Sequence, residues 1–202
     1  MAWHCKYTGA YANTDSEAHD NAVMIYNTLR AMGYEYNPIC AILGNIGYES
    51  GYNPWRWQAD YVVSTTETTN INTQSGHAYG LLQFDPAGQY INNPTAQMYP
   101  DFAPNFSNQQ GGYSDGAAQL RYMNNLSNGY IPTTTYPETF AQFKVSTMPV
   151  TYLTQAWCAN YERGTWHNDR ETNALYWDAV LRNIVFNLPV WMLFKFRRFF
   201  NA

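Results

Sequence analysis

Glu49 is the residue of this sequence that is best placed for acid–base chemistry. Residues 37–50 predict a helix whose apolar positions share one face: Ile39, Ile42, Leu43 and Ile46. Position 49 is the next on that face, so we expect its carboxyl group to point toward the interior or a cleft. It also lies in the last turn, where the helix dipole disfavours a carboxylate. Both effects favour the protonated acid that is needed to break a glycosidic bond.

A structural role for Glu49 is the alternative interpretation. A glutamate at the end of a helix can cap the helix or pair with a nearby base, and Arg56 is the next base along the chain. The residues that follow the helix therefore decide between the two interpretations.

The segments after this helix combine aromatic rings, glycine and neutral amides. Residues 55–58 read Trp-Arg-Trp-Gln, and residues 79–84 read Tyr-Gly-Leu-Leu-Gln-Phe. Gly80 would let a ligand approach the backbone closely, and Gln83 offers both a donor and an acceptor. Sugar rings need flat aromatic walls and neutral amides, so this pattern favours a glycan-binding cleft.

The order of the predicted elements is typical of a mainly helical α+β fold. A first helix runs from a cap at residues 14–16 to Gly33, and a second begins with Asn37 as N-cap and Pro38 at the first helical position. Further helices are predicted over 115–125, 137–144, 150–163 and 170–185. Alternating runs predict strands over 55–63 and 78–84, which would form a small antiparallel sheet beside the active-site cleft. Residues 86–116 predict long surface loops.

Three motifs, in order along the chain, carry a resemblance to a known family. GNIGYESGYNP (44–54), AYGLLQF (78–84) and AWCANYERG (156–164) resemble segments of the tail lysozymes of small tailed phages. The resemblance covers about residues 10–180 and implies a lysozyme-like fold that hydrolyses the β-1,4 bonds of peptidoglycan glycan strands. It implies Glu49 as the catalytic glutamate and residues 80–84 as the cleft wall. We interpret Glu162 and Arg163, in the third motif, as structural, because a neighbouring acid and base near a helix end usually organise the turn.

The expected substrate-binding residues come from the segments that follow Glu49. They are Trp57, Asp60, Glu67, Tyr79, Gly80, Gln83 and Phe84. The second catalytic group stays open: the candidates are the carboxylates Asp60, Glu67 and Asp85, or a water positioned by Thr65, Thr66, Thr68 or Thr69. A glutamate without a partner also fits a lytic transglycosylase, in which the N-acetyl group of the substrate assists and no water attacks.

Other classes of function find less support in the sequence. The four histidines show no HExxH or other short metal-ligand spacing, and no cofactor is implied. Three sparse cysteines do not predict a disulfide framework, and Cys40 and Cys158 lie in helical apolar stretches that predict buried thiols. The non-enzymatic alternative is a virion protein that keeps a lysozyme scaffold for structure or wall binding without activity.

Charge divides the chain into two parts. All 15 acidic residues precede position 179, whereas residues 179–202 hold four cations and no acid. An acidic body argues against a nucleic-acid binder. We therefore expect a lysozyme-like catalytic domain over residues 1–183 and an apolar, basic tail over residues 184–202. The tail would lie on an anionic membrane, dock on a virion or tail protein, or fold back onto the domain.

The N-terminal residues and the composition indicate where the protein acts. No apolar stretch typical of a secretory signal peptide follows Met1. We therefore expect the protein in the virion, or in the host cytoplasm with later release to the cell wall. Its 18 tyrosines and its low charged share of 13% favour a surface that stacks on neutral rings such as those of peptidoglycan.

Overall fold

The computed structural model of the chain describes residues 3–4, 16–58, 77–104, 115–126 and 129–187. Within these ranges the fold is helical, with eight α-helices and one π-helical turn. They are α1 (Ser16–Ala31), α2 (Tyr36–Ser50), α3 (Gly88–Ile91), α4 (Pro94–Gln97), α5 (Asp115–Asn125), α6 (Phe140–Lys144), α7 (Val150–Trp157), the π-helical turn (Cys158–Glu162) and α8 (Asn168–Asn187).

Helix α2 is the central helix of the fold. Residues 38–46 are all buried, so the helix is enclosed on every side rather than on one face. It packs against α8, α7 and α1. Among these buried residues is the polar Asn45, whose amide donates hydrogen bonds to the carbonyl oxygens of Ala41 (2.9 Å) and Thr154 (3.2 Å). The helix therefore reaches the position of Glu49 from within the core.

Glycine allows α8 to approach α2 closely. A Cβ atom at Gly44 would overlap the carbonyl oxygen of Arg170 and the Cβ of Ala174 in α8. The absence of a side chain at position 44 therefore brings the first turn of α8 within reach of the last turns of α2.

The predicted beginning of α2 is wrong by a few residues. The helix begins at Tyr36, with Glu35 in the N-cap position, rather than after Asn37. The side-chain amide of Asn37 instead donates to the carbonyl oxygens of Thr147 (3.3 Å) and Met148 (2.9 Å). Asn37 therefore ties α2 to the loop before α7, and a tertiary contact replaces the expected cap.

The predicted small antiparallel sheet is wrong: the described residues contain no strand. Isolated antiparallel bridges join Tyr79 to Trp57 and to Phe84. Residues 79 and 84 exchange two backbone hydrogen bonds (3.1 and 2.9 Å), which close a tight turn. Gly80 (φ +86°) and Gln83 (φ +46°) adopt left-handed conformations that reverse the chain, so residues 78–84 cannot run as one strand.

The region predicted as long surface loops contains short helices. Helices α3 and α4 lie within residues 86–116, and Asn93 caps α4 because its side chain accepts a hydrogen bond from the Thr95 backbone N–H (2.9 Å). Helix α5 spans the predicted residues, Asp115 to Asn125. The predicted helix over 150–163 is α7, which is regular to Trp157 and continues as the π-helical turn.

The structure bears on two further expectations about the chain. Cys40 and Cys158 are buried free thiols, as predicted, whereas Cys5 lies outside the described residues. Helix α8 continues past the expected domain boundary at residue 183 to Asn187, and the remainder of the predicted tail, residues 188–202, lies outside the described residues. None of the described helices combines the length and apolar character that crossing a membrane requires.

Candidate active site

Glu49 lies in the last turn of α2, where the helix leaves the core. Gly51 ends the helix in a left-handed conformation (φ +59°), and its N–H donates to the carbonyl oxygen of Gly47. The Glu49 side chain is 19% exposed. The carboxyl group is therefore held by a buried helix and remains accessible to a molecule at the surface.

Arg170, in the first turn of α8, forms an ion pair with Glu49. Its Nη2 atom lies 2.5 Å from Glu49 Oε1, and its Nη1 atom donates to Oδ1 of Asn45 (2.9 Å). The Arg170 side chain is only 3% exposed, so the guanidinium is buried while its carboxylate partner is partly open. A buried, charge-assisted pair of this kind fixes the orientation of Glu49.

Glu162 brings a second carboxyl group to this region. It is the last residue of the π-helical turn, and its Oε1 accepts a hydrogen bond from the Trp157 indole N–H (3.0 Å). Burial, followed by the negative charge of Glu49, raises the pKa of Glu162 to about 8. The raised pKa favours the protonated form of Glu162 near neutral pH, and the charge of Glu49 contributes to the rise.

Aromatic side chains border the two carboxyl groups. Tyr48, next to Glu49 in the chain, stacks on His167 with ring centroids 4.8 Å apart. The Arg170 guanidinium carbon lies 4.3 Å from the centroid of the same tyrosine ring. Tyr161, beside Glu162, stacks on Trp157 at 4.4 Å. This region thus contains the Glu49–Arg170 ion pair, a second carboxyl group at Glu162 and flat rings, which are the groups that proton transfer beside a sugar requires.

Side chains of α5 hold the turn over residues 79–84 in place through hydrogen bonds. Gln119 accepts a hydrogen bond from the Leu81 N–H (2.6 Å), and its amide donates to Pro54 O (2.6 Å) and to Asp115 (2.7 Å). A Cβ atom at Gly80 would overlap the Gln119 side chain. In this structure, the glycine therefore allows close approach of a protein side chain to the backbone.

Asp115 is the centre of this network. It is fully buried and accepts hydrogen bonds from two tyrosine hydroxyls, a backbone N–H and an amide, which belong to Tyr79 (2.8 Å), Tyr90 (2.6 Å), Ala103 (3.0 Å) and Gln119 (2.7 Å). Burial raises its pKa although all four hydrogen bonds oppose that rise. Asp115 thus links the turn, α3 and α5 in one buried polar cluster.

The expected substrate-binding residues divide between the core and the turn. The aromatic members are buried, with exposed fractions of 1% for Trp57, 0% for Tyr79 and 6% for Phe84. Gln83 is partly exposed, and its amide donates to the carbonyl oxygens of Gly80 (2.9 Å) and Arg56 (3.1 Å). These residues build the turn from within, and their direct contact with a sugar stays a prediction.

The candidates for a second carboxylate fall in different places. Asp60 and Glu67 lie outside the described residues, as do the threonines at 65, 66, 68 and 69. Asp85 is exposed, and its backbone oxygen accepts a hydrogen bond from the Gln89 amide (2.5 Å). The part of the chain that the structure describes shows no group of three or more His, Cys, Asp or Glu side chains that could hold a metal ion.

Sequence reasoning did not identify Arg170 or Glu162 as members of this site. Arg170 is 121 positions from Glu49, and no local pattern indicates that α8 crosses α2 at Gly44. Glu162 lies within the motif AWCANYERG, but the adjacent Arg163 indicates a local ion pair. The signal that could have identified it is the tryptophan five residues earlier, because a π-helical turn brings positions i and i+5 together.

Comparison with known proteins agrees with the three motifs. The sequence profile described as phage tail lysozyme matches residues 20–181, which include Glu49, Glu162 and Arg170. A relative, Morphogenesis protein 1 of Bacillus phage B103, is 31% identical over 165 residues, which make up 80% of this chain. The same alignment covers 39% of that protein, so the chain spans well under half of its relative's length. The extent of the family match, over most of the chain, establishes that this protein belongs to the phage tail lysozyme family.

Proposed function

We propose that this chain is a glycoside hydrolase that cleaves the β-1,4 bond of peptidoglycan glycan strands, with Glu49 as the general acid. The observation that carries the proposal is the position of Glu49. A carboxyl group at the end of a buried helix, partly exposed and oriented by Arg170, is held firmly and remains accessible to substrate. The match to the phage tail lysozyme family over residues 20–181 supports the same substrate class.

In the proposed reaction Glu49 donates its proton to the glycosidic oxygen as the bond to the anomeric carbon breaks. A water molecule supplies the hydroxyl group that adds to this carbon, and its remaining proton restores the acid. The chain's own contribution is to orient the proton donor through Arg170. Its neighbouring aromatic rings, such as Tyr48, suit the apolar faces of an aminosugar.

The replacement Glu49→Gln tests this assignment. We expect loss of clearing of purified cell walls, by at least about a hundredfold, because the amide cannot donate a proton as an acid. The matched control is Glu35→Gln, at the other end of the same helix, where the side chain is exposed and pairs with Arg30. The thermal midpoint of each variant should be recorded by circular dichroism. A folded Glu49→Gln protein that clears walls at the parent rate would reject the proposal.

A lytic transglycosylase is the second candidate, and Glu162 favours it. The pKa of Glu162 is raised to about 8, in part by the charge of Glu49, which favours the protonated form near neutral pH and speaks against Glu162 as a nucleophile or base. Substrate-assisted chemistry needs no such group. Mass spectrometry of the released fragments separates the two reactions, because hydrolysis adds water whereas transglycosylation leaves an anhydro sugar. If all released fragments carry an anhydro sugar, the transglycosylase assignment replaces the hydrolase assignment.

We propose a place in the virion, where the enzyme opens the cell wall at entry. The relative in phage B103 bears the name morphogenesis protein, and the matching family is that of phage tail lysozymes. An antibody to the chain should therefore detect it in purified phage particles and should label the tail in electron micrographs. Detection only in lysates of infected cells would favour a role in lysis instead. An inactive scaffold protein would be present in particles but would fail the wall-clearing assay.

A further inference from the structure

Asn45 is a polar residue in the fully buried part of α2, with a side chain that is 0% exposed. Burial of an amide costs free energy unless hydrogen bonds replace its bonds to water. The amide nitrogen of Asn45 donates to the carbonyl oxygens of Ala41 (2.9 Å) and Thr154 (3.2 Å). Because carbonyl oxygens only accept, these two bonds fix the direction of the amide and leave its Oδ1 atom to accept a third bond.

Arg170 donates that third bond. Its Nη1 atom lies 2.9 Å from Asn45 Oδ1, and its Nη2 atom lies 2.5 Å from Glu49 Oε1. Residues 45 and 49 are four positions apart, so their side chains lie one above the other on the same face of α2. The planar fork of the guanidinium therefore spans both, with one terminal nitrogen on a neutral amide in the core and the other on a partly exposed carboxyl group.

Asn45 is the partner that can hold Arg170 while Glu49 reacts. The Nε atom of Arg170 is buried and has no hydrogen-bond partner in the part of the chain that the structure describes. The ring of Tyr48, 4.3 Å from the guanidinium carbon, restrains the tilt of the guanidinium plane but not its rotation within that plane. The charge of Glu49 changes during proton transfer, whereas the amide of Asn45 has no proton to lose in this pH range. The contact with Asn45 can therefore stay the same throughout the reaction.

We propose that Asn45 is a positioning residue for the reaction: it holds Arg170 from within the core, and Arg170 holds the carboxyl group of Glu49. This inference rests on the proposed function, because it names the residue that sets the position of the proton donor. The chain of hydrogen bonds begins on α7, at the carbonyl oxygen of Thr154, so α7, α2 and α8 together fix one carboxyl group. A displacement of about 1 Å at a catalytic group can lower the rate about a hundredfold.

The replacement Asn45→Leu tests the proposal, because leucine has the same branched shape but neither donates nor accepts a hydrogen bond. We expect the apparent kcat of wall clearing to fall about tenfold or more, with the apparent KM within about twofold of the parent's, since the acid is misplaced while substrate binding is retained. The matched control is Asn160→Leu, which removes another fully buried asparagine. Asn160 also donates two hydrogen bonds and accepts one, and its partners are Tyr130, Tyr136 and Thr133. This control should lose stability but keep the parent's kcat.

The replacement Asn45→Ser is the second variant, which keeps the test decisive if the leucine protein does not fold. A serine within a helix bonds the carbonyl oxygen one turn earlier, here that of Ala41, and its short side chain does not reach Arg170. It also leaves room for water beside the unpaired groups. We expect the same fall in kcat at an unchanged KM.

The side-chain amide signals of Asn45 in a ¹H–¹⁵N correlation spectrum give a readout that does not depend on activity. The replacement Glu49→Gln removes the charged partner of Arg170, so it should shift these signals. The control Glu35→Gln, at the other end of the same helix, should leave them in place. In an Arg170→Met background, the same replacement at Glu49 should no longer shift them, because the connecting side chain is absent. A shift that passes along the helix backbone would persist in that background.

The two measurements separate the possible failures. The inference is overturned by a folded Asn45 variant with the parent's kcat, or by a fall in kcat that Asn160→Leu shares. It is also overturned if Glu49→Gln leaves the Asn45 amide signals in place, or if their shift persists without Arg170. If the parent protein clears no cell walls, the proposed function fails by itself. The amide signals then still decide whether Asn45 and Glu49 are coupled through Arg170.

Discussion

Arg170 Nη2 lies 2.5 Å from Glu49 Oε1, and this contact joins the first turn of α8 to the last turn of α2. The same guanidinium bonds Asn45 one helical turn earlier in α2. One buried side chain therefore fixes both the packing of two helices and the orientation of the proposed acid, so fold stability and site geometry depend on the same residue.

Replacement of Arg170 by methionine should cost stability as well as activity. The change removes the partner of a partly exposed carboxylate and of the buried Asn45, so we expect a loss of about 3 kcal/mol, at the lower end of the range for broken buried pairs. Urea unfolding measures it. The control is Arg182→Met, also in α8, whose exposed pair with Asp178 should contribute about 0.5 kcal/mol or less. Equal losses in the two variants would contradict the structural role of Arg170.

The stability of the protein should depend on pH through Glu162. Its pKa rises from 4.5 in the unfolded chain to about 8 in the fold, so the folded state binds the proton more tightly. This contribution is fully present below pH 4.5, falls as pH rises through the interval and is lost above pH 8. Relative to Glu162→Gln, the parent should therefore lose stability between those limits. A constant difference between the two unfolding curves across this range would show that Glu162 ionises normally.

Replacement of Gly44 by alanine should separate α2 from α8. The added methyl group meets the backbone of Arg170 and the side chain of Ala174, neither of which can move aside independently of the helix. We expect a loss of about 2 kcal/mol, as for overpacked cores, and weaker wall clearing because Glu49 loses its anchor. Gly164→Ala is the control, since its Cβ would lie 3.6 Å from Arg170 Nη2, an ordinary contact. A Gly44→Ala protein as stable as the parent would refute the close packing.

Replacement of Asp115 by alanine should release the turn over residues 79–84. Three buried donors and the partly buried Ala103 N–H lose their acceptor, so the expected loss of stability is about 3 kcal/mol or more. Wall clearing should fall further than stability alone explains, because the turn is tied to Asp115 through Tyr79. The exposed Asp85, immediately after the turn, provides the matched control in Asp85→Ala. Hydrogen exchange of the Leu81 amide, which bonds Gln119, reports the turn directly: unchanged protection in Asp115→Ala would contradict the proposed coupling.

The helical part of the fold could be predicted because its signals are local. Helix α5 matches its predicted bounds, and the apolar pattern around Ile39 indicates α2, although its first residue depends on a contact with Thr147 that no local pattern shows. The absence of the predicted sheet could not be recognised from local sequence signals. Alternation over residues 78–84 also arises when Gly80 and Gln83 reverse the chain over a buried polar network, and α5 supplies that network from more than thirty positions away.

The candidate site was predictable where it depends on one helix. The position of Glu49 at the end of a buried helix follows from the spacing of the apolar residues before it. Its partners come from distant parts of the chain, so their recognition requires knowledge of how α8 crosses α2. Glu162 is a special case, because regular α-helical spacing places it away from Trp157, and the π-helical turn brings the two side chains together.

The π-helical turn makes the charge pattern of the site sensitive to chain length. Such a turn accommodates a residue that a regular α-helix would not, so deletion of Ala159 would let α7 continue with normal spacing. Glu162 would then rotate by about 100° around the helix axis. An insertion or deletion at this turn would therefore change which side chain meets the Trp157 indole, and a homologous protein without the extra residue would not hold a carboxyl group there in the same way.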